Sequence, residues 1–359
     1  MDFEIDFNFN KCDVISKNIC TCCGNEDFKT ISRVSSHTEN KYLVYLETSI
    51  CKRCTHIQRT KILSQDWMLK MFQFRDDEQV KYNFNPINEK VEQRRYERYM
   101  EIGKEIKLEL KDIDSNNINI LDIGCGPGSG IEAWIDLGLN AKGVEPDISR
   151  AKYGIKKGLN ISTSRWEEYD LNSFPANVYT STQSLEHFYN ADSFIESLSQ
   201  NINDQALLYI EVPDGENFVT DWNDSLYLAH VHNFSENSLN KLLKDKGFKS
   251  CKRIFPYNDI ERKKNNICIL AKKEENYWDN CIKSWNEKKI EEYINKKLFD
   301  YNYLLPNEID KNNMVNFEIP KINDLSLSYR TYDTVASTVK DNEKGRNLNL
   351  ISQNKIRID

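Results

Sequence analysis

Four cysteines are spaced to hold a metal. The chain reads Cys20-Thr21-Cys22-Cys23-Gly24 and, about one hairpin later, Cys51-Lys52-Arg53-Cys54. A C-x2-C turn sets two sulfurs on one ion, and two such turns complete the tetrahedral thiolate site that Zn²⁺ prefers. Cys20, Cys23, Cys51 and Cys54 are the expected ligands. Cys22 is an alternative to Cys20, and His37 or His56 could substitute for a cysteine. Four thiolates leave no open position, so this zinc would be structural. Gly24 suits the sharp turn that follows the first pair.

A second pattern carries different chemistry. The apolar run Ile118-Asn119-Ile120-Leu121 leads into Asp122-Ile123-Gly124-Cys125-Gly126-Pro127-Gly128-Ser129-Gly130, and a helix is expected from Ile131 to Leu137. Glycines after a first strand let a ligand approach the backbone, with the helix N-terminus facing it. Asp122 could meet an ammonium group or a bound water, and would repel a pyrophosphate. Gly143-Val144-Glu145-Pro146-Asp147 ends the next strand with an acid able to accept two ribose hydroxyls. Dinucleotide folds share that acid, so a nicotinamide or flavin site is the competing reading. Ser184-Leu185-Glu186-His187 follows the fourth strand, and His230 and His232 lie in the connection 213–234, which could act as a lid. In open α/β sheets ligands sit beyond the carboxyl ends of the strands, so a general base belongs there. A histidine titrating near neutrality suits that task.

The elements that must position these residues follow from periodicity. Strands are expected at 28–34 and 41–50 between the cysteine pairs. Further strands are expected at 118–122, 141–145, 159–163, 177–182, 206–212, 248–255 and 266–272. Helical stretches alternate with the second set, which predicts an α/β chain with a doubly wound, seven-stranded sheet. Tyr99, Ile102, Ile106 and Leu110 recur at three- and four-residue steps and predict a helix over 88–111 with one buried face. A further helix is expected over 236–246 and a polar one over 277–299. The expected organisation is a zinc-binding domain (1–75), a linker and helix (76–114), the α/β core (115–273) and a C-terminal extension (274–359). No internal repeats occur.

Composition excludes several classes. With 359 residues, the chain is long enough for about two domains. Its 16 Phe, 18 Tyr and 6 Trp are too many for a disordered chain. Forty-nine basic against 56 acidic residues give a net charge of -7, which argues against a surface devoted to phosphate backbones. No run of 18 apolar residues occurs, so no membrane-spanning segment is expected. Met1-Asp2-Phe3-Glu4 lacks a basic n-region and an apolar h-region, so a cytoplasmic protein is expected. Six of the ten cysteines fall within the first 54 residues, and without an export signal they read as ligands, not as disulfides.

Asp122-x-Gly124-x-Gly126-x-Gly128 together with Glu145 resembles motif I and the ribose-binding acid of class I S-adenosylmethionine-dependent methyltransferases, over about residues 115–273. The resemblance implies a Rossmann-like fold and S-adenosyl-L-methionine as cofactor. It places Asp122, Gly124, Cys125, Gly126, Gly128, Glu145, Pro146, Trp166 and Gln183 on that cofactor, with the Arg165-Trp166-Glu167 segment at the adenine. The cysteine pairs joined to such a core are similar to zinc-containing methyltransferases of deoxysugar and surface-polysaccharide pathways. Tyr209-Ile210-Glu211-Val212-Pro213 and His232-Asn233-Phe234-Ser235 also match. That narrower likeness implies a small-molecule acceptor such as a sugar nucleotide, with Tyr227 and His230 as catalytic candidates, beside His187 and Glu186, which are candidates from their position after the fourth strand. Two departures count against C-methylation of a ketosugar. Tyr227-Leu228-Ala229-His230 has Ala where those enzymes carry Glu, and residues 274–359 do not match their C-terminal domain. Competing expectations are an RNA methyltransferase with a four-cysteine module, and a cofactor-binding scaffold without turnover.

Overall fold

The structure is a computed structural model that describes residues 14–37, 43–66, 68, 87–215, 230–248, 250–254, 256, 266–273, 288, 291 and 292. Tyr227, Ala229, nearly all of 277–299 and all of 300–359 lie outside the described residues. Two sheets form among those described. Their strands are β1 (Val14–Ser16), β2 (Phe28–His37), β3 (Leu43–Cys51), β4 (Ile57–Leu63), β5 (Asn119–Ile123), β6 (Asn140–Val144), β7 (Ile161–Ser162), β8 (Val178–Thr182), β9 (Leu207–Pro213), β10 (His232–Asn233), β11 (Ser250–Arg253) and β12 (Asn266–Lys272).

The larger sheet has the order β11-β12-β9-β8-β5-β6-β7. β5 to β9 pair in parallel, while β12 runs antiparallel to both β9 and β11. The chain moves outward from β5 through β6 to β7, then returns to the other side of β5 with β8. That reversal leaves a crevice beyond the carboxyl ends of β5 and β8, where such sheets bind ligands. β5, β8 and β9 are buried along nearly their whole length, as expected of strands covered on both faces.

One face of this sheet is covered by α1 (Glu89–Glu109), α2 (Ser129–Asp136) and α3 (Ile148–Lys156). α1 starts where Asn88 accepts the Lys90 N–H at 3.0 Å, and Glu89 and Glu92 sit in its first turn. It buries Tyr99, Ile102, Gly103 and Ile106 against α2. A Cβ at Gly103 would stand 2.5 Å from Leu137 Cδ1 and 2.8 Å from Trp134 Cδ1, so the helix contact itself requires glycine there. The Trp134 indole N–H donates to the Tyr99 carbonyl at 3.0 Å, which pairs its polar atom inside the apolar contact. The other face is covered by α4 (Ala191–Asn201) and α5 (Glu236–Asp245), and its core is continuous with the buried Cys20, Cys22, Cys51 and Cys54.

The smaller sheet has the order β1-β4-β3-β2. Its β4 was not expected from periodicity. The strand is buried on both faces, and the buried Gln58, Arg59 and Thr60 hide any alternation. Each finds a partner: the Gln58 amide donates to the Ile19 carbonyl, Arg59 to the Thr48 hydroxyl, and Thr60 shares a 2.7 Å bond with Ser49. β10 pairs with β4, His232 opposite Gln58 and Asn233 opposite Ile57. The histidine segment expected in a loop is therefore a strand of the cysteine module's sheet. No helix among the described residues is long and apolar enough to cross a membrane.

Candidate active site and cysteine centre

The two cysteine turns are built alike. Gly24 N–H and Cys23 N–H both donate to the Cys20 carbonyl, while Thr55 N–H donates to the Cys51 carbonyl. The residue after each second cysteine has a left-handed backbone, Gly24 at φ +69 and Thr55 at φ +62. A β-branched residue is rare in that region, so the second turn holds Thr55 against its own preference. The Cys20 and Cys54 sulfurs are 3.5 Å apart and those of Cys23 and Cys51 are 3.6 Å apart. All four lie within 4.8 Å of one another. A regular tetrahedron of 2.3 Å zinc–sulfur bonds has sulfurs about 3.8 Å apart, so the set fits that ion. Bonds from Cys20, Cys23 and Cys54 pull the Cys51 thiol far below the ordinary range. The Asn25 amide and the Arg53 N–H also point to the Cys51 sulfur, at 3.5 and 3.4 Å. Cys22 is outside the group, buried in the apolar core. His56 turns both ring nitrogens away, toward His232 and Ser238.

An open cleft lies at the crevice beyond β5, the place where such sheets bind small molecules. Gly124, Gly126, Glu145, Pro146, Trp166, Gln183 and His187 line it. Gly124 has φ +80, and a Cβ there would lie 2.2 Å from the Ser184 hydroxyl, so the first loop position admits only glycine. Glu145 ends β6 with its carboxylate turned back on the loop. One oxygen accepts the Gly126 N–H at 2.7 Å and the other the Asp147 N–H at 2.8 Å. A carboxylate has about four acceptor positions, so two remain for hydroxyl donors. Burial pushes Glu145 up, and the backbone donors of Asp147 and Gly126 oppose it.

Gln183 carries a left-handed φ of +52 at the cleft wall. Its N–H donates to the Glu211 carbonyl at 2.7 Å, and its amide reaches Asn266 Oδ1 at 2.8 Å and Glu211 Oε1 at 3.2 Å. The buried Glu211 is in turn paired with Arg98 at 3.0 Å and accepts the Tyr209 hydroxyl at 2.9 Å. This network fixes a strained residue beside the ligand space.

Gly128, Cys125 and Asp122 do not line the cleft. Gly128 is the left-handed N-cap of α2, and its open side faces Leu159 and Ile161 of the core. The Cys125 thiol packs against Gly143 and Ile131. Asp122 is fully buried, accepts the Thr180 hydroxyl at 2.7 Å on Oδ1, and has no partner for Oδ2 among the described residues. Burial raises its pKa to about 7. Trp166 both lines the cleft and packs edge-on against Phe194. Glu186 and His230 are buried just behind His187, with side-chain ligand atoms of the three within 4.8 Å of one another. The His187 and His230 rings meet edge to face at 4.6 Å. His187 Nε2 is 3.9 Å from Glu186 Oε1, beyond hydrogen-bond reach.

Sequence reasoning missed Gln65, Met68, Arg150, Ser184, Phe188 and Tyr189 as lining residues. Ser184 directly follows Gln183 and Arg150 lies one helical turn past Pro146, so both were within reach of the argument. Gln65 and Met68 carried no signal, because they arrive from the cysteine module, where Gln65 donates to Glu167 Oε1 at 3.1 Å.

Residues 91–251 match the family described as Methyltransferase domain. No curated protein matches the chain. Among solved structures, the plantazolicin methyltransferase BpumL in complex with SAH is similar at 14% identity. That match covers 58% of this chain and 94% of that one, with a TM-score of 0.46. A SAM-dependent methyltransferase from Archaeoglobus fulgidus is similar at 18% identity, over 48% of this chain and 94% of that one, with a TM-score of 0.38. A possible histamine N-methyltransferase from Thermotoga maritima is similar at 16% identity, over 52% and 96%, with a TM-score of 0.38. Motif, sheet order and family match converge on residues 91–251, which are a class I methyltransferase domain, and the chain is an S-adenosylmethionine-dependent methyltransferase.

Proposed function

We propose that this chain methylates a nucleotide-linked sugar or a surface-glycan precursor, with a structural zinc in its cysteine module and a histidine assisting the transfer. The observation that carries the reading is that His187, backed by Glu186 and His230, lines the same cleft as Gly124, Gly126 and Glu145. Glu145 would hold the ribose hydroxyls of S-adenosylmethionine. The glycine loop would lie along its methionine and ribose, and Trp166 would edge the adenine. The bound cofactor supplies an electrophilic methyl group on sulfonium. The chain supplies orientation, exclusion of water and a base for the acceptor proton. His187 lines the cleft and is the first candidate for that base, with His230 packed against it. Cys20, Cys23, Cys51 and Cys54 would hold the zinc.

The test is methyl transfer from labelled S-adenosylmethionine to a panel of sugar nucleotides, with ribosomal RNA as a parallel acceptor. Transfer to a sugar nucleotide is expected. Transfer to RNA alone would replace the acceptor class, and S-adenosylhomocysteine binding without transfer to any acceptor would favour a non-catalytic scaffold. Glu145→Ala should weaken S-adenosylhomocysteine by about 1.5–3 kcal/mol, the scale of a charge-assisted hydrogen bond, measured by calorimetry.

A further inference from the structure

Two histidines outside the site already described are wholly buried and face each other across the junction of the two sheets. His56 precedes β4, and its carbonyl accepts the Cys51 N–H at 2.8 Å, so it is anchored to the second cysteine turn. His232 lies on β10. His56 Nε2 is 3.1 Å from His232 Nδ1, and His232 Nε2 is 3.0 Å from the Phe188 carbonyl oxygen. His56 Nδ1 is 3.4 Å from the Ser238 hydroxyl. Both rings pack on Phe234, with centroids 4.9 and 5.4 Å away.

The chemistry of these atoms leaves one direction for the chain. A carbonyl oxygen only accepts, so His232 Nε2 carries the hydrogen. The other nitrogen of a neutral imidazole then accepts, so His56 Nε2 must donate to it. The pair points from His56, on the cysteine module, through His232 toward Phe188. Phe188 and Tyr189 both line the cleft, and the Tyr189 carbonyl accepts from Lys17, just ahead of the first cysteine turn. Two successive carbonyls of the cleft wall are thus held by side-chain donors that originate in, or are oriented by, the cysteine module. Val231 N–H also donates to the Glu186 carbonyl, and Arg59 N–H to the Val231 carbonyl, which ties β4 to the same turn through the backbone.

We infer that His56 and His232 are positioning residues, and that their one-way hydrogen-bond chain sets the Phe188 stretch of the cofactor cleft from the cysteine module. The inference rests on the reading of that cleft as the S-adenosylmethionine site. The experiment compares full-length wild type with His56→Gln, whose amide keeps a donor near the Nε2 position, and His56→Met, which fills the space without one. Ring-nitrogen NMR should show the Nε2–H tautomer on both histidines. His56→Met should lose about three- to tenfold in S-adenosylhomocysteine affinity, and His56→Gln should stay within about twofold of wild type. The Phe188 carbonyl ¹³C shift should move in the first variant and hold in the second. An Nδ1–H tautomer on His232 would overturn the inference. So would equal affinities in both variants, whatever the loss of melting temperature, because packing alone would then explain the pair. If His56→Met does not fold, His232→Gln against His232→Met makes the same comparison. Should wild type itself fail to bind S-adenosylhomocysteine, the cofactor reading falls, while the tautomers and the carbonyl shift still decide the chain.

Discussion

Asp122→Asn should change how stability depends on pH, and the structure gives the size. Asp122 sits on the central strand β5 with no exposed surface. Thr180 serves one carboxylate oxygen, and the other has no partner among the described residues. Burial dominates, and Arg98 and the Thr180 bond offset it only in part, so the pKa rises from 3.8 to about 7. Between those values the folded chain keeps a proton that the unfolded chain has released. The group's contribution to stability is therefore complete below about pH 3.8 and is lost as pH rises through about 7. At about 1.36 kcal/mol per pH unit, the loss is on the order of 4 kcal/mol. Asp122→Asn removes this dependence, while its new amide hydrogens bring a pH-independent cost of about 1–3 kcal/mol if they stay unpaired. The diagnostic is the slope, not the absolute stability. Urea unfolding of both proteins at pH 5, 6, 7 and 8 should show the variant gaining on wild type by about 1 kcal/mol per unit up to pH 7, then running parallel. Parallel curves across the whole range would mean that Asp122 is ionised at ordinary pH in the fold, and the burial argument would be refuted.

Freshly purified protein should contain one zinc per chain by elemental analysis. Cys51→Ser should lose it and destabilise the N-terminal module, because binding free energy at such a site is largely folding free energy, whereas Cys22→Ser should keep it. His187→Ala or His230→Ala should lower kcat by about 10²–10⁴-fold with S-adenosylhomocysteine affinity nearly unchanged. Full turnover in both single variants would show that orientation alone drives the transfer.

The α/β core was legible because its strands obey a simple rule. Short apolar runs separated by helical stretches located β5, β6, β8, β9 and β12 to within a residue or two, and the Tyr99-Ile102-Ile106 stripe located α1. That Gly124, Gly126 and Glu145 stand together at one cleft was legible because their spacing is local. That Gly128 and Cys125 face the core was not, since facing a cleft and facing the core look the same in sequence. β4 was lost because its buried face is polar and paired. β10 was lost because two residues carry no period, and only the partner strand makes them a strand. Gln65 and Met68 reach the cleft from about 100 residues away, a contact that no local pattern encodes.

Several of these misses share a cause. β10, Gln65 and Met68 are places where the cysteine module engages the core, which no local pattern encodes. β10 completes one edge of β4 beside β1. The four cysteines include three that share a buried cluster with α4 and α5. Lys17, Gln65 and His56 each reach the stretch from Glu167 to Tyr189, His56 through His232. A module held only by a linker would leave the cleft wall intact when it unfolds. Here the wall is made partly of the module's own side chains, and the carbonyls beside His187 are held through it. The cysteine turns and the cleft wall therefore belong to one cooperative unit, in which loosening the turns is expected to loosen Phe188 and Tyr189.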